Sequence, residues 1–227
     1  MKNYKVGIIG ATGMVGQRFA TLLENHPWFT VTALAASKRS AGKTYKECVE
    51  SRWAMTTPIP KAMEDMIILD AANVEEVASK VDFVFCAVDM PKDQIRELEE
   101  AYAKAECPVV SNNSAHRHTP DVPMVIPEIN ADHIKIIDSQ RKRLGTKKGF
   151  VAVKSNCSLQ SYVPAVHPLR ELGCNKVLAC TYQAISGAGK TFYIVKPNIM
   201  QMLPKGSFIA TDPKGGAKRS IVKSYGT

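Results

Sequence analysis

The chain has 227 residues, 45% hydrophobic and 22% charged, enough for one sizeable domain and part of a second. No run approaches the roughly 18 apolar residues of a membrane span. The N-terminal "MKNYKVGIIG" enters a strand-like segment without a signal peptide's apolar stretch and cleavage site, so a cytoplasmic protein away from membranes is expected. The net charge of +9 raises nucleic-acid binding, but residues 1–189 hold 23 Lys and Arg against 20 Asp and Glu, net +3, while residues 190–227 hold 7 against 1, net +6. The basicity belongs to the tail, which argues against a nucleic-acid partner.

In chain order, "YKVGIIG" predicts a first strand, and "MVGQRFATLLEN" a helix with Met14, Val15, Phe19, Leu22 and Leu23 on its apolar face. "FTVTALAAS" and "MIILDA" read as strands, "NVEEVASK" as a helix and "VDFVFCAV" as a strand. "PKDQIRELEEAYAKA" reads as a helix with Pro91 in its first turn, where a missing N–H costs nothing. "PVVSNN" is a further strand. The pattern restarts near residue 149 with "GFVAVKSN" as a strand, residues 157–172 as a helix and "KVLACTYQAIS" as a strand. This alternation predicts an α/β fold with a doubly wound parallel sheet. The expected units are a dinucleotide-binding domain over 1–154, the start of a second domain over 155–191, and an atypical basic tail over 192–227.

"GATGMVG" puts Gly10, Gly13 and Gly16 between the first strand and its helix. The first glycine permits a sharp turn, the second a close approach to a pyrophosphate, and the third close packing of helix on strand. Thr12, Met14 and Val15 complete the loop, and first-turn N–H groups with the helix dipole favour the anion. The pattern is that of a Rossmann-type dinucleotide site, although a glycine turn also serves packing with no ligand. A cofactor lacking the 2′-phosphate usually has its ribose held by an acid after strand two. Here that place reads Ser37, Lys38, Arg39 and Ser40, and the first acid after it is Glu47. A carboxylate would repel a 2′-phosphate and these groups attract it, so NADP is favoured; the bland alternative is a solvated basic loop.

The six cysteines, at 48, 86, 107, 157, 174 and 180, form no CxxC pair, which points to free thiols without a disulfide frame or metal site. Cys157 falls at the N-terminus of a helix, behind Ser155 and Asn156 as caps. Helix dipoles favour a thiolate at such a place, and a thiolate attacks carbonyl carbon. The alternative is a buried filler, the common fate of cysteine. The other five lie in or beside strand-like runs and are read as fillers. None of the five histidines reads as a convincing partner base: His167 is nearly three helical turns from Cys157, and His26, His116, His118 and His133 read as surface residues.

"GATGMVGQRF", "LAASKRSAGKTY", "SNNSAHR", "VPMVIPEIN", "SNCS" and "TYQAISGAG", in this order, resemble aspartate-semialdehyde dehydrogenase in its archaeal and fungal branch. The resemblance spans residues 1 to about 191. It implies an incomplete α+β catalytic and dimerisation domain after the Rossmann domain, a homo-oligomeric assembly, and NADP-dependent reduction of aspartyl phosphate to aspartate semialdehyde with release of phosphate. That step leads to lysine, threonine and methionine. By the resemblance, Cys157 is the nucleophile with Asn156 beside it, and Gln183 positions the substrate. Arg117 binds phosphate, a ligand suited to a guanidinium fork. Asn112 shares its pocket, Glu128 lies near the substrate, and Ser186, Gly187 and Gly189 line the nicotinamide. Ser155 departs from the proline often found before "NCS".

The related N-acetyl-glutamyl-phosphate reductases share the expected fold and acyl-phosphate chemistry, but "SAGKTY" and "SNCS" favour the first family. A non-catalytic NADP-binding fragment is the alternative of another class. "AISGAGKT", residues 184–191, also fits a loosened P-loop, with Lys190 and Thr191 on phosphate and metal. Pro197 and Pro204 interrupt the residues after it, against the helix a P-loop opens. Past residue 192 the family pattern gives way, as a premature stop or shifted frame would leave it. The family's substrate-binding arginine and general-base histidine are not found there, so weak or no turnover is expected.

Overall fold

The computed structural model describes residues 3–177. Cys180, Gln183, Ser186, Gly187, Gly189, the P-loop-like Lys190 and Thr191, and the tail over 192–227 lie outside the described residues. The chain divides into two compact units, Met1–Asn156 and the part from Cys157 onward.

The first unit runs β1 (Tyr4–Ile9), α1 (Met14–Leu23), β2 (Phe29–Ala36), α2 (Tyr45–Val49), α3 (Lys61–Glu64), β3 (Ile68–Asp70), α4 (Val74–Ala78) and β4 (Phe83–Cys86). It continues through α5 (Lys92–Lys104), β5 (Val109–Ser111), β6 (Met124–Val125), α6 (Pro127–Asn130), α7 (Ile137–Leu144) and β7 (Val151–Lys154). The strands form one seven-stranded sheet in the order β3-β2-β1-β4-β5-β7-β6, parallel throughout. The Rossmann-type parallel sheet expected from the sequence is therefore present. "GFVAVKSN" forms β7, which pairs with β5 and β6 inside this sheet.

Both faces are covered, as a parallel sheet requires. Val6, Ile8, Leu34 and Ile68 meet Ala20, Leu23, Tyr45 and Val49 on one side. Ile9, Ala33, Ala35, Val84, Val109 and Val151 meet Val77, Tyr102 and Ala103 on the other. The alternation of Ile8 with Ile9 and Leu34 with Ala35 is the period-2 signature of strand side chains.

Several local expectations change. On α1 the buried residues are Gly16, Gln17, Ala20 and Leu23, and Phe19 stacks on Phe85 at 4.9 Å between centroids. Met14, Val15 and Leu22 are exposed instead. A helix lying this close to its sheet needs small residues at the contact, and large apolar ones fall outside it. Pro91 is the N-cap of α5, not a first-turn residue. Residues 157–172 do not form one helix: α8 (Cys157–Val166) gives way to a 3-10 segment over His167–Leu172, where Pro168 has no N–H to continue the ladder. Cys48 sits in α2 rather than near a strand. Helix α2, which the strand and helix pattern does not predict, opens on a reciprocal capping box of Thr44 and Glu47.

The turn into β7 is held by one carboxylate. Glu106, at φ 60° just past α5, accepts the N–H groups of Lys147 at 2.9 Å, Lys148 at 2.5 Å and Gly149 at 2.8 Å. These bonds hold its carboxyl below the ordinary value of 4.5. A depressed carboxylate stabilises the fold above its unfolded value and loses that contribution as pH falls through its folded one. Glu106→Gln is expected to lower the melting temperature at pH 7. The gap from wild type begins to close below pH 4.5 and is gone beneath the folded-state value; melting curves from pH 7 to 3 check this.

Candidate active site

The carboxyl ends of the strands lie along one edge of the sheet, and the segments leaving them carry most of the residues singled out in the sequence. The strand order reverses between β1 and β4, the place where open parallel sheets take ligands. At this point Gly10 follows β1 with φ +84°. A Cβ there would come within 2.5 Å of the Ala87 carbonyl oxygen. The N–H groups of Gly10 and Ala11 both reach the Ala35 carbonyl, at 2.8 and 3.1 Å, which pins the turn to β2. A Cβ on Gly16 would run into the Gly10 carbonyl oxygen and the Ala11 backbone, so α1 rests directly on the turn. Gly13 differs: a Cβ there meets only the Gly10 oxygen, at 3.5 Å. The first bond within α1 is from the Gln17 N–H to the Gly13 carbonyl at 2.8 Å. The N–H groups of Met14, Val15 and Gly16 precede it and have no partner within the helix. Thr12 is half-buried, and Gly13, Met14 and Val15 are exposed around this donor cluster. Such a turn can take a pyrophosphate on its N–H groups.

Beyond β2, Ser37, Lys38 and Arg39 are exposed. Ser40 is not an open donor: it is 8% exposed, its N–H bonds to the Ser37 carbonyl at 2.8 Å, and its carbonyl accepts from Cys48 Sγ at 3.6 Å. The structure adds a carboxylate that a search along the chain after strand two misses. Asp70, at the end of β3, pairs in register with Ala36 at the end of β2. Its Oδ1 accepts the Ala72 N–H at 3.0 Å.

The segment after β5 carries Asn112 and Arg117, both half-buried. The Asn112 N–H bonds to the Cys86 carbonyl at the end of β4, 2.8 Å away. Arg117 donates Nε to the Lys154 carbonyl at the end of β7, at 3.2 Å. With Nε held, both Nη groups can take an anion as a fork. Glu128 is exposed on α6, just past the end of β6. Ser155 is buried, and Asn156 is half-buried at the end of this unit.

In the second unit, Cys157 is the first residue of α8 and is exposed. That geometry disfavours the filler reading for this cysteine. The filler reading holds for Cys86 and Cys107, which are buried. Among the described residues no group of three His, Cys, Asp or Glu side chains is placed to hold a metal ion.

Three further residues lie near these segments. Gln17 is buried inside α1; its Nε2 reaches the Thr12 and Arg52 carbonyls at 3.2 and 3.3 Å, and its Oε1 accepts the Ala54 N–H at 2.9 Å. It ties the glycine turn to the segment after α2. His116, read from sequence as a surface residue, is 1% exposed and faces the buried Glu99. No sequence signal marks this pair, because α5 and the loop meet only through the fold. His133 is half-buried, its Nδ1 against the Met124 backbone.

The family described as semialdehyde dehydrogenase, NAD binding domain, matches residues 5–137. The aspartate-semialdehyde dehydrogenase of Archaeoglobus fulgidus is 43% identical over 188 residues, covering 82% of this chain and 52% of that protein. That of Saccharomyces cerevisiae is 36% identical over 189 residues, covering 81% and 50%. The crystal structure of the Candida albicans aspartate-semialdehyde dehydrogenase with NADP superposes with a TM-score of 0.66 at 38% identity, covering 75% of this chain and 48% of that one. The chain spans about half the length of the relatives it matches. With the glycine turn at the sheet's switch point and more than half the chain matched, the chain belongs to the semialdehyde dehydrogenase family, and within it resembles the aspartate-semialdehyde dehydrogenases of archaea and fungi.

Proposed function

We propose that this chain carries the NADP-binding domain and the nucleophile of an aspartate-semialdehyde dehydrogenase, which reduces L-aspartyl 4-phosphate to aspartate 4-semialdehyde. The observation that carries the reading is the gathering of the glycine turn, the exposed Lys38 and Arg39, and the tethered Arg117 along one edge of a single sheet. An exposed cysteine at the first residue of α8 supports the acyl-transfer chemistry.

The N–H groups opening α1 hold the pyrophosphate, and Gly13 leaves room for it. Ser37, Lys38 and Arg39 hold the 2′-phosphate. Arg117 and Asn112 receive the phosphate of the substrate, and Asn156 flanks the reacting carbonyl. The Cys157 sulfur attacks the acyl carbon; the C–O bond to phosphate breaks, and phosphate leaves with the electron pair. NADPH, when bound, supplies the hydride that brings the thioester to the aldehyde level. The C–S bond then breaks, freeing the semialdehyde and the thiolate. Gln183, Glu128, Ser186, Gly187 and Gly189 keep the roles the family resemblance gives them. His116 is buried, and His133 and His26 lie against the Met124 backbone and the Phe29 ring. His118 and His167 keep the surface reading given to them in the sequence, and the family's general-base histidine is not found, so turnover by this chain on its own is expected to be weak or absent.

The glycines separate fold from ligand. Gly16→Ala is expected to cost about 1–3 kcal/mol of stability through overlap with Gly10. Gly13→Ala leaves the melting temperature nearly unchanged and weakens NADP; melting curves and calorimetric titration read both.

Arg39→Glu is expected to weaken NADP by about ten- to a hundredfold, the loss of a charge-assisted bond, with little effect on NAD. Equal losses for both cofactors would remove the 2′-phosphate assignment.

Incubation with aspartyl phosphate is expected to add one aspartyl group to the intact mass, and Cys157→Ser abolishes the addition. Acylation persisting in that variant rejects the nucleophile. NADPH formation from semialdehyde, phosphate and NADP at ordinary rates of roughly 1–10³ s⁻¹ rejects the impaired-turnover reading.

A further inference from the structure

Two ionisable side chains are sealed behind the segment that carries Asn112 and Arg117. Glu99 Oε2 and His116 Nε2 lie 4.0 Å apart, their side chains 0% and 1% exposed. Neither atom has a hydrogen-bond partner among the described residues. A buried polar atom left unpaired is costly, and here each atom faces the other's vacancy.

The remaining polar atoms of the pair are used to grip the segment. Glu99 Oε1 accepts from Ser111 Oγ at 2.5 Å and from Asn113 Nδ2 at 3.0 Å. The Asn113 N–H donates to Ser111 Oγ at 3.0 Å, which closes a small ring of bonds at the end of β5. His116 Nδ1 is 3.1 Å from Thr119 Oγ1. One turn earlier on α5, Arg96 donates Nε to the Ala115 carbonyl at 3.0 Å. Helix α5 thus holds the segment at 111, 113 and 115. Asn112 and Arg117 flank those anchors, and neither is gripped by α5 through a bond of its own among those named. The other ionisable group against the cluster is Cys86 on β4, whose thiol burial keeps protonated; Asn113 Nδ2 reaches its sulfur at 3.5 Å.

We propose that Glu99 is a positioning residue for the anion site. The bonds from Ser111 and Asn113 to Glu99 Oε1, with that from Arg96 to the Ala115 carbonyl, fix the 111–117 segment on α5 so that Arg117 meets the end of β7. The inference rests on the reading of Arg117 as the phosphate ligand. Glu99 touches no substrate and acts through the backbone it holds.

The variant Glu99→Gln keeps the shape and weakens the bonds to Ser111 and Asn113, because an amide oxygen accepts less strongly than a carboxylate. The Arg117 Nε–H resonance, which reports the bond to Lys154, is expected to move towards the position of a free arginine. Binding of inorganic phosphate by calorimetry weakens on the order of tenfold, as misplacement of a ligand group by a fraction of an ångström allows. NADP binding stays unchanged, which shows that the glycine turn is intact. Should Glu99→Gln fail to fold, Ser111→Ala, which removes the bond to Glu99, gives the same three readouts. An unmoved Arg117 Nε–H signal in either folded variant overturns the inference. A wild-type chain that binds no phosphate removes the anion-site reading instead, and the Arg117 signal then decides the positioning role alone.

Discussion

The structure depends on one close approach of backbone to backbone. Gly16 of α1 sits against the Gly10 carbonyl, and Gly10 sits against Ala87 at the end of β4, with room for a Cβ at neither. These contacts set the distance from helix to sheet and put the first turn of α1 over the switch point between β1 and β4. The positive φ at Gly10 lets β1 turn at once into the loop, a conformation most side chains resist. The donor cluster at the head of α1 is therefore a product of packing. The same glycines that let the helix approach also aim its unpaired N–H groups at the crevice.

Buried polar side chains do the remaining joining. Gln140, fully buried on α7, donates Nε2 to the Val151 carbonyl at 3.0 Å and accepts the Val151 N–H on Oε1 at 2.6 Å. In a strand the N–H groups of residues i and i+2 point the same way. Val153 N–H bonds to the Pro123 carbonyl beside β6, so Val151 N–H faces the β6 side as well. There β6 has not yet begun, since its pairing starts at Met124 opposite Val153. The Gln140 amide takes the place that another β6 residue would fill. Gln17 does the equivalent for the glycine turn, and Glu106 for the turn into β7. Gln140 and Gln17 are buried, which is tolerable because their bonds are made, whereas Glu106 is half-buried.

What the sequence made legible was local. Strands of alternating or continuous apolar residues and glycines spaced across a turn are written within ten residues, and β1, β2, β4 and the Gly10–Gly16 loop emerge from them directly. Strand β6 has two residues, too few for any period to show. The inner face of α1 was misread because large apolar residues mark a buried face only when the helix stands off from its neighbour; here Gly16 and Ala20 make the contact. Helix α7, "IDSQRKRL", carries little apolar signal, and its clearest mark is Gly145 at φ 73° as its C-cap. Asp70 beside Ala36, and His116 beside Glu99, are juxtapositions of distant segments that no window along the chain contains.

The chain's thiols show how the fold sorts equivalent side chains by reactivity. Burial pushes the Cys107 thiol up to about 11 and drives Cys86 well above its ordinary value, with the Glu99 carboxylate adding to the rise at Cys86. At neutral pH both remain protonated, and neither is open to a substrate. Cys48 is half-buried and donates its Sγ to the Ser40 carbonyl, which spends it on holding the 37–40 turn. Cys174 is half-buried. Cys157 differs from these four in being exposed, at the first residue of α8. Apolar cover thus closes off Cys86 and Cys107, and a backbone bond ties Cys48 to the turn after β2.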